Sequence, residues 1–164
     1  MTSIIKVDQI QNAAGGTPTA ADIGLNVSGS VLQIQNTSTL LSGTISSTTP
    51  VDLLSISFTP KFDNSSLYIV VTHRWQESVN ITNAGIAIVH DGTNLLYIDA
   101  YNTYTGTGNI INTNTYQGFV ASTGSTSARD IKFQHWCQSS GGALYANPNV
   151  TGAATQMTIM EIAQ

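Results

Sequence analysis

Residues 66–75 read SLYIVVTHRW, and this run limits what the chain can fold into more tightly than any other. Side chains alternate across a pleated strand, so Leu67, Ile69, Val71, His73 and Trp75 share one face while Tyr68, Val70, Thr72 and Arg74 share the other. Both faces begin apolar. The pattern predicts a central strand covered on one side by a second sheet and on the other by a neighbouring element or subunit. No catalytic motif sits on it; the run is scaffold.

The same period of two runs through the remainder from Val31 onward. Leu32 and Ile34 are expected on one face, residues 40–45 follow, and Leu54, Ile56 and Phe58 stand against Asp52 and the serines between them. Pro60 ends that run, and residues 59–64 supply turn chemistry. Residues 84–90 and 94–101 flank Asp91-Gly92, a dipeptide suited to a tight hairpin because both central residues need positive φ. Residues 116–121, 130–138, 143–147 and 156–162 bring the expected number of short strands to nine or ten, without an amphipathic helix of any length. The expected fold is all-β, an antiparallel β-sandwich or jelly-roll. Residues 102–115, almost wholly Asn, Thr, Gly and Tyr, read as a long exposed loop of the kind that carries recognition.

A chain of 164 residues fits one domain that buries about two thirds of its unfolded surface. The opening departs from the strand pattern. Residues 12–29, NAAGGTPTAADIGLNVSG, are small and Gly-rich and have no core of their own. Residues 1–30 are therefore expected to form an arm, ordered against another copy or another protein, with Ile5, Val7 and Ile10 as its apolar contacts. Residues 31–164 form the sandwich domain.

Charge is scarce. Only 9% of residues are charged, where a soluble domain usually carries about 25%. Thr, Ser, Asn and Gly replace Lys and Glu, a surface suited to packing identical copies and to hydrogen-bonding neutral sugars. With five Lys and Arg against nine Asp and Glu, a net charge of −4 and a pI near 5.0, the chain lacks the basic footprint that nucleic acid demands. No run reaches membrane-spanning length, and the N-terminus lacks the apolar core of a signal peptide, so synthesis in a cytoplasm without membrane insertion is expected. The single cysteine, Cys137, allows no intrachain disulfide and reads as a buried thiol.

Motif chemistry is sparse as well. The sequence has no phosphate-binding glycine loop, Ser-His-Asp signature or Cys/His ligand cluster, and the expectation is a protein without catalytic residues, cofactor or metal. The nine carboxylates fall mostly at turns and strand ends. A polysaccharide-degrading spike would need two of them across a cleft, with Glu77 and Asp99 the first to test. His73 and His135 both lie on inward faces, as core residues or as side chains meeting their copies at a threefold axis. Arg74 and Arg129 are expected to pair with Asp130, Glu77 or a neighbouring subunit. Tyr97, Tyr101, Tyr104 and Tyr116 either present rings to a sugar or pack under the loop.

The opening IIKVDQIQNAAGGTP, the segment LSISFTPKFDNSSLYIVVTH, the stretch AIVHDGTNLLYIDA and the ending TQMTIMEIAQ resemble short fibre-like structural proteins of tailed bacteriophages of the marine cyanophage type. Those proteins commonly start with a KVDxIQN element and end on a strand reading MEIA. The resemblance covers most of the chain through structural motifs, none of them catalytic. It implies a homotrimeric virion component made in the bacterial host cytoplasm, a tail fibre, head fibre or spike. In it the N-terminal arm would join other virion proteins of tail, portal or capsid, and the β domain would serve attachment, either to a host surface glycan or of one virion part to another. A decoration or adaptor subunit on the capsid or tail surface is the alternative.

Overall fold

The computed structural model describes residues 11, 15–16, 28–40, 43–77, 83–102, 111–137, 144–146 and 155–164. Ten strands and no helix lie among them: β1 Val31–Thr39, β2 Gly43–Ile45, β3 Val51–Phe58, β4 Ser66–Glu77, β5 Asn83–His90, β6 Thr93–Asn102, β7 Ile111–Val120, β8 Arg129–Cys137, β9 Leu144–Ala146 and β10 Thr155–Ile162. They form two antiparallel sheets, one of six strands ordered β1-β10-β4-β9-β2 with β7 on the free flank of β4, the other of four ordered β3-β8-β5-β6. From β2 to β9 the chain repeatedly changes sheet, which makes the fold an antiparallel β-sandwich.

β4 is the central strand that its alternation predicts. β10 pairs along residues 66–72, β9 continues the same flank along 75–77, and β7 covers the other flank along 67–76. Leu67, Ile69, Val71, His73 and Trp75 are all wholly buried. They meet Leu54, Ile56 and Phe58 of β3, Ile86 and Ile88 of β5, Ile131 and Phe133 of β8, and Met157 and Ile159 of β10 in the core between the sheets. Each such side chain contributes on the order of 2 kcal/mol by leaving water. The opposite face is different. Tyr68, Val70 and Arg74 are half-buried and Thr72 is exposed, so no described element covers it.

The hairpin forms where Asp91-Gly92 puts it, with φ of 47° and 78° at the two residues. β5 also shows why Gly85 is glycine: a Cβ there would lie 1.9 Å from the ring of Trp136, which lies flat over that position. Tyr97 meets the same Trp136 ring at 5.3 Å.

Two expectations are corrected. Leu32 and Ile34 do not share a buried face, because a bulge between Val31 and Gln33 breaks the alternation of β1 and leaves Ile34 63% exposed. The expected loop over residues 102–115 is shorter: Asn102 ends β6, and residues 111–115 are paired along β4 as the first half of β7. Polar composition hid that strand, since pairing to β4 needs only its backbone. Residues 103–110 and the arm positions Ile5, Val7 and Ile10 lie outside the described residues.

The bulge turns Gln33 inward, towards a buried carboxylate. Glu161 of β10 is wholly buried and accepts from Gln33 Nε2 at 2.6 Å, Ser65 Oγ at 2.6 Å, and the backbone N–H groups of Lys61 and Phe62 at 2.9 and 3.1 Å. Burial pushes the carboxyl up, but the Ser65, Lys61, Phe62 and Gln33 donors outweigh it and hold the group below the usual carboxylate range. Glu161 thus ties β10 to β1 and to the turn leading into β4. Glu161→Gln would set an amide N–H against these donors, and should lower unfolding stability by about 2–4 kcal/mol. Urea denaturation of the two proteins measures this directly, and unchanged midpoints would show that the clasp is dispensable.

Candidate functional site

The sandwich is open along one flank. β6 is an edge of the four-stranded sheet and β7 an edge of the six-stranded sheet, and where they pass each other a groove of about 440 Å³ is lined by Leu96, Ile98, Asn114, Thr115, Tyr116 and Gln117. Its position follows from topology, since edge strands lack a neighbour to close them. The lining mixes apolar side chains with amides and hydroxyls and carries no charge. Such a surface fits a neutral ligand that has both an apolar face and hydroxyls.

Tyr116 links the groove to the core. Its ring stacks on Phe133 at 5.8 Å, Phe133 meets His73 edge-on at 5.0 Å, His73 meets His135 at 4.9 Å, and His135 meets Trp75 at 5.3 Å. Asn114, on the groove wall, is the register partner of His73.

The two histidines form one unit. His73 Nε2 and His135 Nδ1 share a hydrogen bond of 3.0 Å, and His73 Nδ1 bonds Thr155 Oγ1 at 2.8 Å. His73 belongs to the six-stranded sheet and His135 to the four-stranded one, so the bond spans the sandwich. Both rings are wholly buried within a single chain, which sets aside the alternative of copies meeting at a threefold axis. Burial drives both below the ordinary histidine range, His135 to about 3, and the neighbouring His135 lowers His73 further. The pair is therefore neutral near pH 7, and its chemistry is that of a structural clasp between sheets.

The four tyrosines are not gathered together. Tyr97 is 51% exposed on the outer surface of the four-stranded sheet, whereas Tyr116 is 6% exposed with its ring in the core. Tyr101 stands opposite Ala84 in the β5–β6 ladder, and its side chain, like residue Tyr104, lies outside what is described. The side chains of Glu77 and Asp99 also lie outside it. Cys137 is buried. Among the described residues no group of three or more His, Cys, Asp or Glu could hold a metal ion, and no helix is long and apolar enough to cross a membrane.

The scarce charges collect on the other sheet. Lys132 pairs with Asp52 at 2.9 Å and Asp130 at 3.4 Å, while Arg129 pairs with Asp91 at 3.0 Å and also donates to Ser125 Oγ and the Thr123 carbonyl. Arg129 thus finds the hairpin carboxylate of Asp91 and not the expected Asp130. Sequence reasoning did not anticipate the groove, the His73–His135 bond or the buried Glu161; the inward parity of both histidines was the available signal for the second.

No protein-family model matches the chain, and no curated protein matches it in sequence. Solved structures do match in shape. The chain is similar in fold to VP2 of infectious bursal disease virus. Against the VP2 subviral particle the TM-score is 0.52 at 17% identity, covering 82% of this chain and 34% of that one. A structure of the Gx strain of the same virus gives a TM-score of 0.55 at 15% identity, with 97% and 37% covered. The chain thus spans little more than a third of these viral chains, and at such identities the likeness is one of fold.

The histidine clasp has a measurable consequence. Unfolded histidines take up protons below about pH 6.5, whereas the buried pair resists protonation until far lower pH. The unfolded chain then binds more protons, so stability should fall as pH drops from about 6.5 to 5, by about 1.4 kcal/mol per pH unit for each histidine. Denaturant titrations across that window test the sign, and a flat profile would mean the pair is protonated in the fold.

Proposed function

We propose that this chain is a non-enzymatic structural protein of a virus particle, a homotrimeric tail fibre, head fibre or spike of a tailed bacteriophage that serves attachment. The observation that carries the reading is the fold: an antiparallel sandwich whose likeness to a structure of infectious bursal disease virus extends over 97% of the chain. The resemblance of the opening and closing segments to cyanophage fibre-like proteins supports the narrower assignment. In this reading residues 1–30 join other virion proteins, and the protein is made in the bacterial cytoplasm and incorporated into the virion.

Attachment would use the flank groove between β6 and β7. Its uncharged lining of Leu96, Ile98, Tyr116, Asn114 and Gln117 suits a neutral sugar of the host surface, apolar ring face against the aliphatic wall and hydroxyls toward the amides. A second reading, a decoration or adaptor subunit of capsid or tail without receptor binding, is favoured by the fact that the VP2 likeness is to a protein solved as a particle. Neither reading calls for a hydrolytic carboxylate pair.

Immunogold labelling of purified particles of the encoding virus, combined with binding of the isolated protein to host cells, separates these readings. Label on an appendage together with saturable cell binding is the expected result. Label spread over the shell without cell binding would select the decoration reading, and particles devoid of the protein would overturn both.

A further inference from the structure

We infer that the His73–His135 pair is an acid-operated latch: protonation parts the two sheets at the end of the sandwich that holds Trp75 and Cys137, while the end held by Glu161 stays closed. Acid would thus open this fold from one side only.

The pair divides the core unequally. On one side lies the main apolar cluster, which includes Phe58, Leu67, Ile86 and Phe133. On the other lies a small one of Ile45, Trp75, Ala84 and Cys137, where β4 and β8 end and β5 begins. Beyond that cluster, the Cys137 N–H joins the sheets there by donating to the Ser47 carbonyl at 2.8 Å. Glu161 stands opposite Leu67 in the β10–β4 ladder, six residues from His73, or about 20 Å along the strand. A fold opens first where few buried apolar contacts hold it, which here is the Trp75 end.

Acid acts at this end through the number of ring protons. Two neutral imidazoles carry two protons on four nitrogens, and buried Nε2 of His135 has no hydrogen-bond partner. A first added proton can sit on that atom with the bonds to Thr155 and between the rings both kept. A second protonates every nitrogen, so His73 Nε2 and His135 Nδ1 both donate and the bond across the sandwich is lost.

No carboxylate faces the pair among the described residues. The titratable side chains on the inward faces beside it are Cys137 of β8 and Tyr116 of β7, while β3, β5 and β10 present Val51, Ile86 and Thr155. Arg74 and Lys132 belong to the outer faces of their strands. Glu77 lies four residues from His73 on β4, or about 13 Å along the strand. An imidazolium formed here therefore stays uncompensated until water enters. The third histidine, His90, differs, standing at the other end of β5 with Asp91 at 3.8 Å.

Closed, the pair resists protonation because burial drives both rings below the ordinary histidine range. Opened to water, each ring takes up a proton below about pH 6.5. Each lower pH unit then raises the open population up to about tenfold per histidine. Burial raises the Glu161 carboxyl, but its donors hold it below the usual carboxylate range, so that end keeps its charge and its bonds through the same window.

Cys137, the single cysteine, is buried in the cluster that would part, two residues from His135, and reports the opening. The test is the rate at which dithiodipyridine labels it in the full chain from about pH 7 to about pH 5, referred to the denatured chain at each pH. Amide hydrogen exchange, corrected for its intrinsic pH dependence, is read alongside by mass spectrometry. The expected result is labelling at least about tenfold faster at the acid end, with exchange quickened at residues 72–77 and 134–137 but not at 67–69 and 159–162. His73→Gln keeps an amide where the ring was and removes one titrating group, so it should roughly halve the logarithmic pH dependence. If that variant does not fold, the wild-type labelling and exchange decide. Labelling that ignores pH would overturn the latch. So would exchange quickened equally at both ends, because the chain would then be unfolding as a whole, and so would an undiminished pH dependence in folded His73→Gln.

Discussion

Burial of the inward face of β4 is the constraint from which the remaining architecture follows. Five consecutive inward side chains, Leu67 to Trp75, are wholly buried, which requires both flanks of β4 to be paired and a second sheet to lie across them. β10 and β7 provide the flanks, and β3, β5 and β8 supply the facing side chains. A strand in that position forms most of its contacts with residues distant in sequence. Its register then fixes which side of every neighbour is core.

Two polar groups enter this core with partners already in place, although Nε2 of His135 has no hydrogen-bond partner. The His73–His135 bond joins the two sheets, and Glu161 closes one end by accepting from four residues of two segments, β1 and the turn before β4. Both arrangements follow one rule: a buried polar atom is tolerated when its partners are prepositioned, and is costly otherwise. Their energetics differ in sign with pH. The imidazoles are accommodated neutral, whereas the carboxylate is accommodated charged because every group facing it is a donor.

The outside of the molecule is divided as sharply as the inside. The four-stranded sheet carries an ion-pair network and the hairpin, the six-stranded sheet carries an uncharged apolar row, and the flank between their edges opens into an uncharged groove. With 9% charged residues in the whole chain, that partition is a choice of where to spend solvation. The four-stranded sheet also buries Ala87, Val89 and Trp136 on its outer side, with Tyr97 against the Trp136 ring, so its ion pairs share that face with an apolar cluster.

The sequence by itself determined the fold class and the core. Alternation in residues 66–75, 51–58 and 130–138 reports burial directly, because the period of a strand is two and the core has one side. The hairpin was legible for an equally local reason, the positive φ at Asp91-Gly92. Only the tertiary structure decided the outward position of Ile34, the strand over residues 111–115, the His73–His135 bond and the groove. Each depends on register between segments far apart in sequence: a single bulge inverts the face of a residue, and a polar strand forms wherever a neighbour's backbone is free to pair. Local pattern encodes which residues leave water; the pairing of distant strands decides whom they meet.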